Sequence, residues 1–189
     1  MRWLCLLLIF VLSGCANHTK IEQDAGYGAV MLTADVGLAL SAPPAELLNS
    51  QWQKRMYVTK AQTQQALLSQ LAIDNDGELR LALMSAAGLP VFTLSYTAEQ
   101  GVVAQRFIAV EDLDPSYILA DIQLVHWPLA QLNKHLKGAH LIEYRQGGEL
   151  IRELRQNDST LLDIRYGGEV IILNNKIHHY EIRFEEVKP

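Results

Sequence analysis

From Trp52 onward apolar and polar residues alternate with a period of two, the repeat of a strand that buries one face. KRMYVTK (54–60) and QTQQALLSQLAI (62–73) read as the first two strands. DNDG (74–77) reads as a hairpin turn, because Asn, Asp and Gly tolerate the positive φ that tight turns demand. In ELRLALM (78–84), Leu79, Leu81 and Leu83 oppose Arg80 and Ala82, one dry face against one wet. SAAGLP turns the chain into VFTLSY (91–96), and AEQG turns it again into VVAQRFIAV (102–110). Short loops between successive strands predict an antiparallel meander.

The period changes at Asp114. Pro115 behind it is a helix start, since proline suits the first helical position, and Ile118, Leu119, Ile122 and Val125 recur at helical spacing. Pro128 cannot continue that helix but can open another, PLAQLNKHL, which ends at Gly138. Strands then resume as AHLIEYR, ELIRELRQ, TLLDIRY, EVIILNN and KIHHYEIRFEEV, with turns at QGG, NDS and GG. In the last segment His178, Tyr180, Ile182 and Phe184 share a face. The expected fold is mainly β with two short helices (α+β). Its nine to eleven strands form one curved antiparallel sheet, an open half barrel with the helices covering its concave side.

The N-terminus follows neither period. Arg2 precedes the apolar run LCLLLIFVL (4–12), too short for a bilayer crossing of about 20 residues. That is the shape of a secretory signal. LSGC (12–15) resembles the bacterial lipobox, which implies cleavage after Gly14 and diacylation of Cys15. Ala16, rather than Asp, follows the cysteine. By resemblance to Gram-negative lipoprotein sorting, this implies the periplasmic face of the outer membrane. The expected organisation is a signal peptide over 1–14, a lipidated N-terminus and tether over 15–50, and one domain over 51–189.

Composition narrows the chemistry. Cys5 leaves with the signal and Cys15 is consumed by lipid, so disulfides, thiol catalysis and Cys-based zinc sites are excluded. A net charge of −5 opposes a nucleic-acid partner. No G-x-S-x-G elbow or H-x-x-x-H spacing occurs, and no metal or cofactor is implied. Asp121, His126 and Ser95 are the residues to check for an enzymatic cleft. Glu149, Glu153, Asp163 and Glu169 alternate with apolar residues and read as a solvated outer face.

ILADIQLVHWPLAQLNKHL (118–136) resembles the core motif of an uncharacterised family of short bacterial outer-membrane lipoproteins, often encoded beside aryl-polyene and fatty-acid-like biosynthesis genes. The element order is also similar to that of the LolA/LolB superfamily of lipoprotein carriers and acceptors. The resemblance implies an apolar half barrel that takes an acyl, polyene or lipoprotein lipid chain, with Leu119, Ile122, Leu124, Trp127 and Leu132 as its helical lid. It sets Leu89 of AAGLPVF in the place of a leucine that contacts membrane or cargo. The partners implied are the outer membrane, such a lipid, and envelope transport proteins. Three functions stand at this point, in falling order: a carrier or acceptor that is not an enzyme, a structural lipoprotein docking an envelope export complex, and an enzyme acting on lipid or thioester substrates through Asp121, His126 and Ser95. A barrel filled by its own side chains produces the same pattern.

Overall fold

A computed structural model describes residues 20–24 (backbone only), 29–108 and 114–187; the expected signal 1–14 and Cys15 lie outside them. The elements are β1 (Lys20–Asp24), β2 (Ala29–Met31), β3 (Gly37–Ala39), a 3-10 turn (Ala45–Leu47), β4 (Ser50–Lys60), β5 (Thr63–Ile73), β6 (Leu79–Ser85), β7 (Pro90–Thr97) and β8 (Gly101–Arg106). After them come α1 (Pro115–His126), α2 (Leu129–His135), β9 (Leu136–Lys137), β10 (His140–Gln146), β11 (Glu149–Gln156), β12 (Ser159–Gly167), β13 (Val170–Asn175) and β14 (Tyr180–Glu186).

Among the described residues the strands form one eleven-stranded antiparallel sheet, ordered β1-β8-β7-β6-β5-β4-β14-β13-β12-β11-β10, and a small sheet β2-β3-β9. Two meanders, β4–β8 and β10–β14, join where the last strand pairs with β4, Phe184 opposite Met56. The period-two pattern sets the register: Leu79 faces Tyr96, Leu81 faces Leu94 and Leu83 faces Phe92, all buried on one side. Slipping any strand by one residue would turn that set into water.

The sheet curls. α1 touches β8 and also bonds to Arg152 on β11, eight strand spacings away in the order. In a flat sheet those strands would stand about 38 Å apart at ~4.8 Å per spacing, whereas α1, at 12 residues, is only about 18 Å long. The sheet therefore wraps around α1 with its apolar face inward. It does not close into a barrel, because its edges, β1 and β10, pair with only one neighbour each.

Both helices start and stop where the prolines direct. The Asp114 carboxylate accepts from Ser116 N at 2.8 Å, capping α1. α1 ends where Pro128 follows Trp127, and the Pro128 carbonyl then accepts from Gln131 N and Leu132 N to begin α2.

The tether expected over 15–50 needs correction for its described part. β1 pairs with β8 and extends the sheet, and residues 29–48 form a layer of the fold. Val30, Leu32, Val36 and Leu38 are core residues. The Gln123 side chain holds this layer to α1 as a strand would, its Oε1 accepting from Ser41 N (3.1 Å) and its Nε2 donating to Ser41 O (3.0 Å). Gln131 Nε2 adds bonds to Ser41 Oγ and Ala42 O. Gly138, at φ 76°, lets the chain leaving α2 press on this layer, since a Cβ there would overlap the Asp35 carbonyl oxygen.

Gln123 is fully buried, so Gln123→Ala should leave both Ser41 backbone groups unpaired and cost about 3 kcal/mol. Gln131→Ala, at a half-exposed position, should cost less than half as much. Urea unfolding of the two variants checks the ranking; equal losses would show that Gln123 is not the clamp.

Candidate functional site

Polar groups enter the apolar concave side at the C-terminus of α1. Pro128 interrupts the chain there, leaving the last carbonyls of the helix without intrahelical partners in a buried setting. Arg152, buried on β11, answers them: its Nη1 donates to Leu124 O and, at 3.0 Å, to Trp127 O. Its Nε and Nη2 donate to Glu143 Oε1 at 2.8 and 2.7 Å. Tyr166 on β12 donates to Val125 O at 2.7 Å, with the guanidinium over its ring. A cation at this end also complements the helix dipole.

Of the expected lid residues, Leu119, Leu124, Trp127 and Leu132 are at 0% exposure. They belong to the buried core cluster, so in this conformation they are packed core. The Trp127 indole N–H is buried and has no acceptor among the described residues. Ile122 differs, being partly exposed, as is Ile118 one turn earlier.

A second surface remains half open. Leu67, Val58, Ile182, Phe184, Ile171 and Tyr166 pack against the core yet keep partial exposure. They are contiguous: Leu67 pairs with Met56, Met56 with Phe184, Val58 with Ile182, Phe184 with Ile171, and Ile171 with Tyr166. All lie on the concave face. Ile118 and Ile122 share a stripe of α1 with His126, whose ring stacks on Trp52 of β4 at 5.3 Å. The helix therefore turns its partly exposed stripe toward the strand that carries Val58.

Polar pairs mark the middle and the end of α1. At mid-helix Tyr180 donates to the buried Asp121 carboxylate and accepts from Asn175 Nδ2 at 3.0 Å. His178 stacks on Tyr180 at 6.4 Å and meets Tyr117 edge-on at 4.7 Å. Burial pushes Asp121 up to about 7, against the lowering effect of the Tyr180 hydrogen bond. At the far end, burial and the Lys54 and Arg152 charges hold His126 down to about 4, a neutral imidazole near pH 7.

The structure does not assemble Asp121, His126 and Ser95. Asp121 is engaged by Tyr180 and His126 is stacked on Trp52. Ser95 alternates with the buried Leu94 and Tyr96, so it points to the convex side of the sheet. Among the described residues no group of three or more His, Cys, Asp or Glu stands close enough to hold a metal ion. Of the expected outer-face carboxylates, Asp163 is instead buried, paired with Lys176 at 3.3 Å and Arg165 at 3.6 Å. Leu89 projects into solvent at 65% exposure from the β6–β7 turn, which Ser85 closes through its backbone and hydroxyl.

Sequence reasoning missed Arg152, Tyr166 and the strip. The signal for Arg152 was present: in ELIRELRQ it stands between Leu150 and Leu154 at period two, a charge on the dry face. A buried arginine requires acceptors.

Residues 51–188 match a family model described as a protein of unknown function (DUF3261). No curated protein matches the chain.

Trp127→Ala should destabilise by about 3–5 kcal/mol, while Trp127→Phe should cost much less, since it also removes the unpaired donor. Chemical denaturation separates them; similar losses would count against the packed-core account. A carboxyl raised in the folded state stabilises fully below its unfolded pKa and loses that contribution as pH rises through its folded value. Asp121 therefore penalises the fold progressively from about pH 4 to 7. His126 acts oppositely, its contribution falling away as pH drops from 6.5 toward 4. Against the parent chain, Asp121→Asn should gain stability from pH 4 to 8, by roughly 4 kcal/mol at most. Urea melts at pH 4, 6 and 8 check this; a difference independent of pH would contradict it.

Proposed function

We propose that this chain, which belongs to the DUF3261 family, is a lipid-anchored protein of the periplasmic face of the outer membrane that lays one acyl or polyene chain along its concave side. The observation that carries this reading is the apolar strip from Leu67 to Tyr166, half-exposed except at the buried Met56, beside a packed core. Scattered exposed apolar residues need no explanation, but a continuous row in a concavity is the kind of surface that takes an apolar ligand. The open, curled sheet with helices inside fits a LolA/LolB-like half barrel. Cys15 supplies the anchor, and the exposed Leu89 suits contact with membrane or cargo.

In this reading the five lid residues divide. Ile122 lines the ligand with Val58 and Ile182, while Leu119, Leu124, Trp127 and Leu132 hold α1 rigid behind it. No proton transfer or covalent step is required, so the site needs few polar groups and no cofactor. Full burial of those four residues also favours a second reading, a rigid scaffold that docks an envelope export complex.

A version covering 16–189, purified from the periplasm without detergent, should carry one acyl or polyene chain in native mass spectrometry and exchange it for a fluorescent fatty acid. Ile182→Ser should weaken uptake at least tenfold, about 1.4 kcal/mol, with little change in melting temperature. A clean apo mass with no uptake would favour the docking scaffold. A mature chain whose Cys15 carries no acyl mass would remove the anchor.

A further inference from the structure

Three of the large apolar side chains that stand exposed lie at one corner of the sheet. Leu89 is 65% exposed, Phe107 39% and Ile108 51%. Leu89 sits in the turn that feeds β7, and Phe107 leaves β8 beside it, its N–H donating to Val91 O at 3.0 Å. The chain also enters the sheet here: Lys20, the first residue of β1, pairs with Arg106, the neighbour of Phe107. Cys15 lies five residues upstream, at most about 17 Å away even if fully extended.

The same corner meets the end of the half-open strip. Leu67 pairs with Ser85, the residue whose backbone and hydroxyl close the Leu89 turn. We infer that the Leu89–Phe107–Ile108 corner inserts into the bilayer beside the Cys15 lipid and holds the sheet end-on, with the Leu67 end of the strip at the membrane surface. This rests on the reading of Cys15 as acylated. The occupant is a phospholipid surface, because leucine, isoleucine and phenylalanine are the side chains that bury at the boundary between headgroups and acyl chains. It also supplies the second contact that a tethered domain needs to hold one orientation, since a lipidated terminus alone leaves it free to swivel.

The test uses the full acylated chain reconstituted in vesicles of phosphatidylethanolamine and phosphatidylglycerol. An environment-sensitive fluorophore is placed on Ile108→Cys, and for comparison on Glu99→Cys, in the β7–β8 turn at the opposite end of the sheet. The expected result is flotation of both with the vesicles. Only the residue 108 probe should shift to the blue and be quenched by lipids carrying a nitroxide on the acyl chain. A second measurement keeps the readout independent of the Ile108→Cys substitution: a probe on Leu89→Cys should lose its blue shift when Phe107→Ser and Ile108→Ser are introduced, while flotation persists. Flotation with both ends equally wet would overturn the inference and leave the anchor standing. Failure to float would overturn the anchor and the inference with it.

Discussion

The fold depends on how the broken end of α1 is satisfied inside the sheet. Trp127-Pro128 stops the helix in a buried place, leaving the carbonyls of Leu124, Val125 and Trp127 with their intrahelical partners gone. Unpaired buried carbonyls cost on the order of 1–3 kcal/mol each. Arg152 and Tyr166 reach across from the C-terminal meander and meet all three. Glu143 then neutralises the guanidinium, so the cluster is a closed network rather than a stranded charge. α1 is thereby fixed against β11 and β12 while it also packs against β8, and the sheet is drawn into a curl.

That placement divides the concave side. Leu119, Leu124, Trp127 and Leu132 complete a dense core with residues of both meanders, among them Phe92, Leu94, Leu154 and Ile164. Val58 on β4, Ile171 on β13, and Ile182 and Phe184 on β14 are only partly covered, although Met56 and Leu173 beside them are buried. The layer formed by residues 29–48, clamped through Gln123 to Ser41, closes the other flank of the helix. In the proposed reading, a rigid wall facing a half-open apolar strip would receive a chain-like ligand without rebuilding the core. A protein filled throughout would offer no such row.

The period-two pattern of Leu79, Leu81 and Leu83 and the prolines at 115 and 128 made the meander and both helices readable, because each depends on neighbours in sequence. The N-terminal layer was not readable: β2 and β3 have three residues each, too few for any period to show. The division of the lid residues was equally hidden. Leu119 and Ile122 look alike in sequence, and only the direction in which Arg152 and Tyr180 pull α1 decides which is packed and which lines the open side. Asp121 and His126 could be flagged as titratable, but their separate partners, Tyr180 and Trp52, come from β14 and β4, far along the chain.

The central claim is that an apolar chain lies on β4 and β14 beside Ile122 and not among the four buried lid residues. Photo-crosslinking with a diazirine-bearing fatty acid, followed by peptide mapping, tests it most directly. The account predicts adducts at Val58, Ile182, Phe184 and Ile122, with none at Trp127 or Leu132. Adducts concentrated on the convex face, or none under saturating ligand, would contradict it.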